Sequence, residues 1–265
     1  MVVSRCLPDR VSHVSKHLMI SSLGVGTGKT MLPRELASQR GCSIVNISLT
    51  DAVRGEIGSG ERRVRELFAE AKRSAPSIIF IDEFQAVFTS REEGVASASD
   101  VGATLTATLS GCFDDLSIWN RYSGLESLVT VIASTNEPWA IDRSFLRPQR
   151  LERCLFVGPL SAEGRMEFFT AHAAGHDELS GRQISSLVSR TELFTGADLT
   201  LLLSRARDLC DAERPSDDDD DDSIPRHYSA ALALSKPSVT AEDMEEYSDW
   251  QRQHSHLMTT TEEQW

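Results

Sequence analysis

The sequence predicts a parallel α/β domain followed by a small all-helical domain, and three observations carry this. Short apolar runs alternate with helical patterns up to about residue 158, the order that builds a parallel sheet covered by helices. At least one of those runs, Ile78–Ile81, is continuously apolar, as a strand buried on both faces must be. After Gly158-Pro159 the strand-like runs stop and only helical periodicity remains.

Taken in order, His17–Ser21 reads as a first strand. A glycine-rich stretch, 24–30, and a helix to about Gln39 follow it. Ile44–Ile47 is a second strand. Gly60–Arg73 is a helix with Val64, Leu67, Phe68 and Ala71 on one face, stopped by Pro76. Ile78–Ile81, Leu128–Ala133 and Cys154–Val157 supply three more strands. Between them Arg91–Ser99 reads as a polar loop and Thr104–Leu109 as helical. In the second half, Ser161–Ala173, Arg182–Ser189, Gly196–Glu213, Arg226–Leu234 and Ala241–His254 read as helices. Thr195-Gly-Ala-Asp198 and Thr240-Ala-Glu-Asp243 look like capping boxes with Asp in place of Glu. The expected organisation is an extension or truncated remainder at 1–16, an α/β domain at 17–158, a helical domain at 159–255 and a polar tail at 256–265. An acidic, disordered insertion is expected at about 215–225.

With 265 residues, 40% of them hydrophobic, the chain can bury a sizeable core. Its formal charge is 27 − 40 = −13, and six of those charges lie in the run Asp217–Asp222. That run reads as a solvated loop, with a docking tail for a basic partner as the alternative. Nothing here is a basic footprint, so no nucleic-acid partner is expected. The five cysteines are scattered and lack metal-ligand spacing, which suits free thiols in a reducing compartment. No run approaches the ~18 apolar residues of a membrane span, and residues 1–10 have no apolar signal core. The expectation is a soluble intracellular protein, cytoplasmic or nuclear.

Three strand ends hold the candidate chemistry. Gly24-Val-Gly-Thr-Gly-Lys29-Thr30 sits between a strand and a helix, where free backbone N–H groups can wrap a phosphate. Lys29 would reach the outer phosphates and Thr30 would hold Mg²⁺. The nucleotide-binding stretch is thus Gly24, Val25, Gly26, Thr27, Gly28, Lys29, Thr30 and Met31. The alternative is a glycine-rich turn without a ligand. Ile78-Ile-Phe-Ile-Asp82-Glu83 ends a buried strand in two carboxylates. Asp82 would orient Mg²⁺ and Glu83 would polarise an attacking water, unless the pair is simply a polar exit from a strand. Asn136, at the end of Val129-Thr-Val-Ile-Ala-Ser-Thr-Asn136, would position that water. Alternatively it caps the turn before Pro138.

These motifs in this order, followed by Asn136-Glu-Pro-Trp-Ala-Ile-Asp-Arg-Ser-Phe-Leu-Arg-Pro-Gln-Arg-Leu-Glu-Arg153, closely resemble the AAA ATPases of the valosin-containing-protein type. The resemblance runs from about His17 to Arg214 and resumes over 230–250. It implies a P-loop ATPase domain with Walker A and Walker B motifs, a helical lid, ATP and Mg²⁺ as ligands, and ATP hydrolysis that remodels proteins. It implies a ring of AAA subunits, a homo- or hetero-hexamer. Arg150 and Arg153 fall where the family places arginine fingers, His172 where a lid histidine meets the nucleotide, and Gly196-Ala197 on the lid motif beside it. Read without the resemblance, both arginines are surface charges, His172 is a helix-surface residue and Gly196-Ala197 belongs to a capping box.

The sequence departs from the family pattern in several places, and two of them, Leu23 and Pro33, support a rival reading, a nucleotide-binding scaffold subunit that scarcely hydrolyses ATP. Leu23 replaces the first Walker glycine, which implies strain if that place needs a positive φ. Pro33 lies inside the following helix, with loss of a hydrogen bond and a kink expected. Glu56, in Gly55-Glu-Ile-Gly58, stands where the family's pore-loop aromatic does, which argues against polypeptide threading. The short leading segment suggests a fragment, or one half of a two-ring protein.

Overall fold

A computed structural model describes residues 17–23, 26–54, 58–89, 96–176, 179–212 and 224–258. The pore-loop positions Gly55 and Glu56, the loop residues Gly24 and Val25, and the Asp217–Asp222 run lie outside the described residues. The chain divides into two compact units: residues 1–22, 28–157 and 249–265 form one, and residues 23–27 with 158–248 form the other.

The first unit is built on five parallel strands in the order β2-β3-β4-β1-β5. They are β1 (His17–Ser21), β2 (Ser43–Ser48), β3 (Ser77–Asp82), β4 (Val129–Thr135) and β5 (Arg153–Phe156). Burial follows position in the sheet. The interior strands β3 and β4 are buried almost without interruption, whereas edge strand β2 exposes Ser43, Asn46 and Ser48 and buries Val45 and Ile47. Met19 pairs with Ala133 on one side and Cys154 on the other, which fixes the register about β1.

Among the described residues, five helices of this unit pack beside the strands or precede them. The helix α1 (Met31–Arg40) buries Pro33, Leu36 and Ala37. Pro33 is its third residue, within the first turn, where backbone N–H groups have no intrahelical acceptor. The expected loss of a hydrogen bond therefore does not arise. A short α2 (Leu49–Arg54) leads to α3 (Ser59–Arg73), which buries Val64, Leu67, Phe68 and Ala71 as its periodicity predicts. After α4 (Ala86–Thr89) comes α5 (Ala96–Tyr122), 27 residues long. It corrects the expected loop at 91–99, of which 96–99 is helical, and extends far beyond 104–109. Its small and polar residues weaken the helical signal. Leu105, Leu109, Cys112, Phe113 and Leu116 nevertheless fall at three- and four-residue steps and are all buried, so packing stabilises the helix.

An aromatic cluster joins these elements. Phe113 lies edge-on to His17, Phe68 and Phe145, and Phe84 meets both Phe88 and Phe145. Phe113 is fully buried. Phe113→Ala should therefore destabilise the protein by about 3–5 kcal/mol through lost burial and a residual cavity. Denaturant melts of the two proteins check this, and a loss below about 1 kcal/mol would contradict the packing described.

The second unit contains α6 (Ala162–His176), α7 (Gly181–Arg190), α8 (Gly196–Ala212), α9 (Arg226–Ala233) and most of α10 (Ala241–Gln253). Phe169, Leu187, Leu199, Leu202, Tyr228 and Ala231 form its core. Arg165 is buried there with its guanidinium satisfied by the carbonyls of Leu160 (2.7 Å) and Val188 (3.1 Å). Both predicted capping boxes are present. Asp198 accepts from the Thr195 N–H and returns its own N–H to the Thr195 hydroxyl, and Thr240 and Asp243 do the same. A third box, Ser180 with Gln183, opens α7.

The expected polar tail from 256 needs correction. Leu257 is buried, and Met258 forms a parallel bridge with Cys154. Residues 249–258 therefore group with the sheet rather than with the helices. Among the described residues no helix is long and apolar enough to cross a membrane.

Candidate active site

In a parallel sheet ligand chemistry gathers at the carboxyl ends of the strands, where the strand order reverses. Here that is the end of β1 and of its neighbour β4, with β3 on the far side of β4. Ser22 follows β1 and donates its N–H to the Thr135 carbonyl, 3.0 Å away. Gly28 opens the turn into α1, and its carbonyl accepts from Met31 (3.0 Å) and Leu32 (3.2 Å). Gly28 has φ +91°, a conformation that favours glycine.

Lys29 extends from this turn to the end of β4. Its ammonium donates to Asn136 Oδ1 and to Ser22 Oγ, and Ser22 Oγ lies 3.4 Å from Asn136 Oδ1. Burial pushes the Lys29 ammonium below the ordinary lysine value, while the negative charges of Asp82 and Glu83 pull it back up. The balance is a half-buried cation facing carboxylates, a place suited to an anionic ligand.

The Thr30 hydroxyl lies 3.2 Å from Asp82 Oδ2, on the end of β3. The other carboxylate oxygen of Asp82 accepts from the Ser134 hydroxyl and from the Glu83 N–H (3.1 Å). Thr30 and Asp82 thus bring two hard oxygen donors together, the chemistry a magnesium ion requires. Glu83 is exposed and has φ +50°, a left-handed conformation for a non-glycine residue. Phe84, fully buried just after it, donates its N–H to the Ser134 carbonyl at 2.8 Å and anchors that turn.

Two contributors escaped the sequence reading. Ser22 partners Lys29 and Asn136, and Ser134 partners Asp82. Both are small polar residues at buried strand ends, and a buried hydroxyl needs a partner. That signal was available. Asn136, expected to position the attacking water, meets Lys29 and Ser22. Leu23, expected to be strained, is buried and is absent from the positive-φ residues; Gly26 and Gly28 make the turn.

In the second unit, the Gly26 carbonyl accepts from the Ala197 N–H at 3.2 Å. A Cβ on Gly26 would stand 2.2 Å from the Ala197 Cβ. Gly26 and Gly196-Ala197 are therefore in direct contact. His172 is exposed on α6, its Nδ1 2.8 Å from the Phe168 carbonyl and its ring stacked on Phe168.

Arg150 lies in the loop before β5. Its Nε and Nη2 grip Asp114 of α5 at 3.1 and 2.9 Å, its Nη1 donates to the Ser144 carbonyl, and the guanidinium stands over Phe145. Only 16% of its side chain is exposed. Gln149, beside it at φ +71°, accepts from Ser117 and Arg121 of the same helix. Arg153 was expected in the turn before the fifth strand but is the first residue of that strand, paired with Leu18.

Residues 24–159 match the family described as ATPase family associated with various cellular activities (AAA). The chain belongs to the AAA ATPases. Over 181 residues it is 39% identical to an ATP-dependent zinc metalloprotease FtsH 2 of Symbiobacterium thermophilum, covering 68% of this chain and 30% of that protein. Over 234 residues it is 30% identical to a cell division cycle protein 48 homolog of Archaeoglobus fulgidus, covering 84% of this chain and 30% of that one. The chain thus spans about three tenths of the length of these relatives. Among solved structures it resembles the FIGL-1 AAA domain in complex with ADP, with a TM-score of 0.69 and 24% identity over 95% of this chain and 84% of that one. That likeness establishes the AAA fold.

Proposed function

We propose that this AAA module binds ATP with Mg²⁺, hydrolyses it, and works among like subunits in a ring that remodels proteins. The observation that supports it most is the meeting of Lys29 and Asn136, and of Thr30 and Asp82, at adjacent strand ends. Gly24, Val25, Gly26, Thr27, Gly28 and Met31 complete the stretch proposed to bind phosphate. Lys29 exchanges its hydrogen bonds to Asn136 and Ser22 for the outer phosphates. Thr30 and Asp82 hold the magnesium ion, which when bound neutralises charge on the phosphates. Glu83 takes the proton of the attacking water, and Asn136, once Lys29 turns to phosphate, orients that water. Gly196, Ala197 and His172 contact the nucleoside, and Arg150 and Arg153 serve the ATP of a neighbouring subunit. Against the alternative, a nucleotide-binding scaffold subunit, Leu23 does not take a positive φ and Pro33 lies in the first turn of α1.

Lys29→Ala should weaken ATP binding about tenfold or more, since a charge-assisted contact to phosphate is lost. Equilibrium titration with a fluorescent ATP analogue measures this. Equal affinity in mutant and wild type would show that the loop does not hold phosphate.

A further inference from the structure

The Asp198 carboxylate does more than cap α8. Asp243 occupies the same place in the capping box of α10, is only partly buried, and accepts from the Thr240 N–H and hydroxyl. Asp198 is 8% exposed and takes four hydrogen bonds. Two come from Thr195, N–H and hydroxyl, both at 2.9 Å. Two come from Ser238, forty residues later: its N–H at 3.0 Å and its hydroxyl. Burial alone would raise the Asp198 acid, but these donors outweigh it and hold the group below the ordinary aspartate value.

Both ends of this arrangement are anchored. The segment bearing Ser238 is fixed by the fully buried Val239 and by Arg205, two turns along α8 from Asp198, which donates to the Leu234 carbonyl (2.7 Å) and the Ser235 hydroxyl (3.1 Å). At the other end, Thr195 begins the turn whose Ala197 N–H meets the Gly26 carbonyl, and Thr195 Oγ1 itself lies 3.5 Å from where a Gly26 Cβ would be. A continuous path of hydrogen bonds runs from Ser238 through Asp198 and Thr195 to the turn that touches the phosphate loop.

We propose that Asp198 and Ser238 are positioning residues for nucleotide binding, a clasp that seats the Thr195–Ala197 turn on Gly26 and so presets the loop for phosphate. The proposal rests on the reading of residues 24–31 as the ATP loop. A loop held in its bound shape loses less entropy on binding, so releasing the clasp weakens affinity rather than chemistry. Ser238 is exposed, so its alteration perturbs little packing.

The test titrates a fluorescent ADP analogue into the full chain and its variants. Ser238→Ala should bind roughly three- to tenfold more weakly, the range for losing one hydrogen bond to a charged group when part of it reaches the ligand. Ser238→Thr, which keeps the hydroxyl, should restore affinity, and Asp198→Asn should bind at least as weakly as Ser238→Ala. In turnover the defect should fall on KM rather than kcat. Asp243→Asn, which breaks the sister box, should leave affinity unchanged. If Ser238→Ala and Ser238→Thr both bind as wild type while Lys29→Ala does not, the clasp is only a helix cap and the proposal fails. If Lys29→Ala also binds as wild type, the loop reading fails and the clasp proposal with it. Should Asp198→Asn fail to fold, the Ser238 pair still decides.

Discussion

Mixing an Arg150→Ala/Arg153→Ala protein with a Lys29→Ala protein should restore ATP turnover that neither shows alone. The double variant keeps its phosphate loop and the Lys29 variant keeps its arginines. Activity should return only where an intact loop of one subunit meets intact arginines of another. The expected loss in the double variant is large, roughly 10³–10⁵ in rate, the worth of an arginine finger in related phosphoryl transfers. The same dependence predicts that specific activity of the unaltered protein rises with concentration. The structure sharpens the test because Arg150 has a complete set of partners within its own chain: Asp114, the Ser144 carbonyl and the Phe145 ring. If these are its whole role, the double variant loses stability, mixing restores nothing, and turnover is independent of concentration. That outcome would end the ring reading and leave Arg150 as a structural ion pair.

Glu83→Gln should leave ATP binding near the wild-type value and slow single-turnover hydrolysis by about 10²-fold or more, as expected on losing a general base. The substitution keeps size and shape. It also leaves intact what holds the turn, the Glu83 N–H to Asp82 and the Phe84 N–H to the Ser134 carbonyl. The left-handed backbone at Glu83 costs about 1–3 kcal/mol in a non-glycine residue. The residue so held is exposed and directly follows Asp82, whose Oδ2 faces Thr30. A rate within a few-fold of wild type would remove Glu83 from the role of base and leave its strained backbone unexplained.

The five strands, most of the helices and both Thr–Asp capping boxes are legible in the residues alone. These are local matters: apolar continuity marks a doubly buried strand, and a box closes within three residues of itself. The order of the phosphate loop, the Asp82-Glu83 pair and Asn136 is legible too, because each stands at the exit of a recognisable strand. What those residues touch depends on how the chain packs. Asn136 meets Lys29 because β4 lies beside β1, a neighbourhood no sequence spacing states. The length of α5 was hidden because its stability comes from burying Leu105, Leu109 and Phe113 against residues far away in the chain. Leu23 and Pro33 looked costly when judged by type alone. Their cost depended on a dihedral angle and a place within a helix turn, and folding set both at values each residue tolerates. Asp198 shows the same division within one residue. Its box with Thr195 is written in four consecutive letters, while its bonds to Ser238 exist only because the chain returns after forty residues to the same carboxylate.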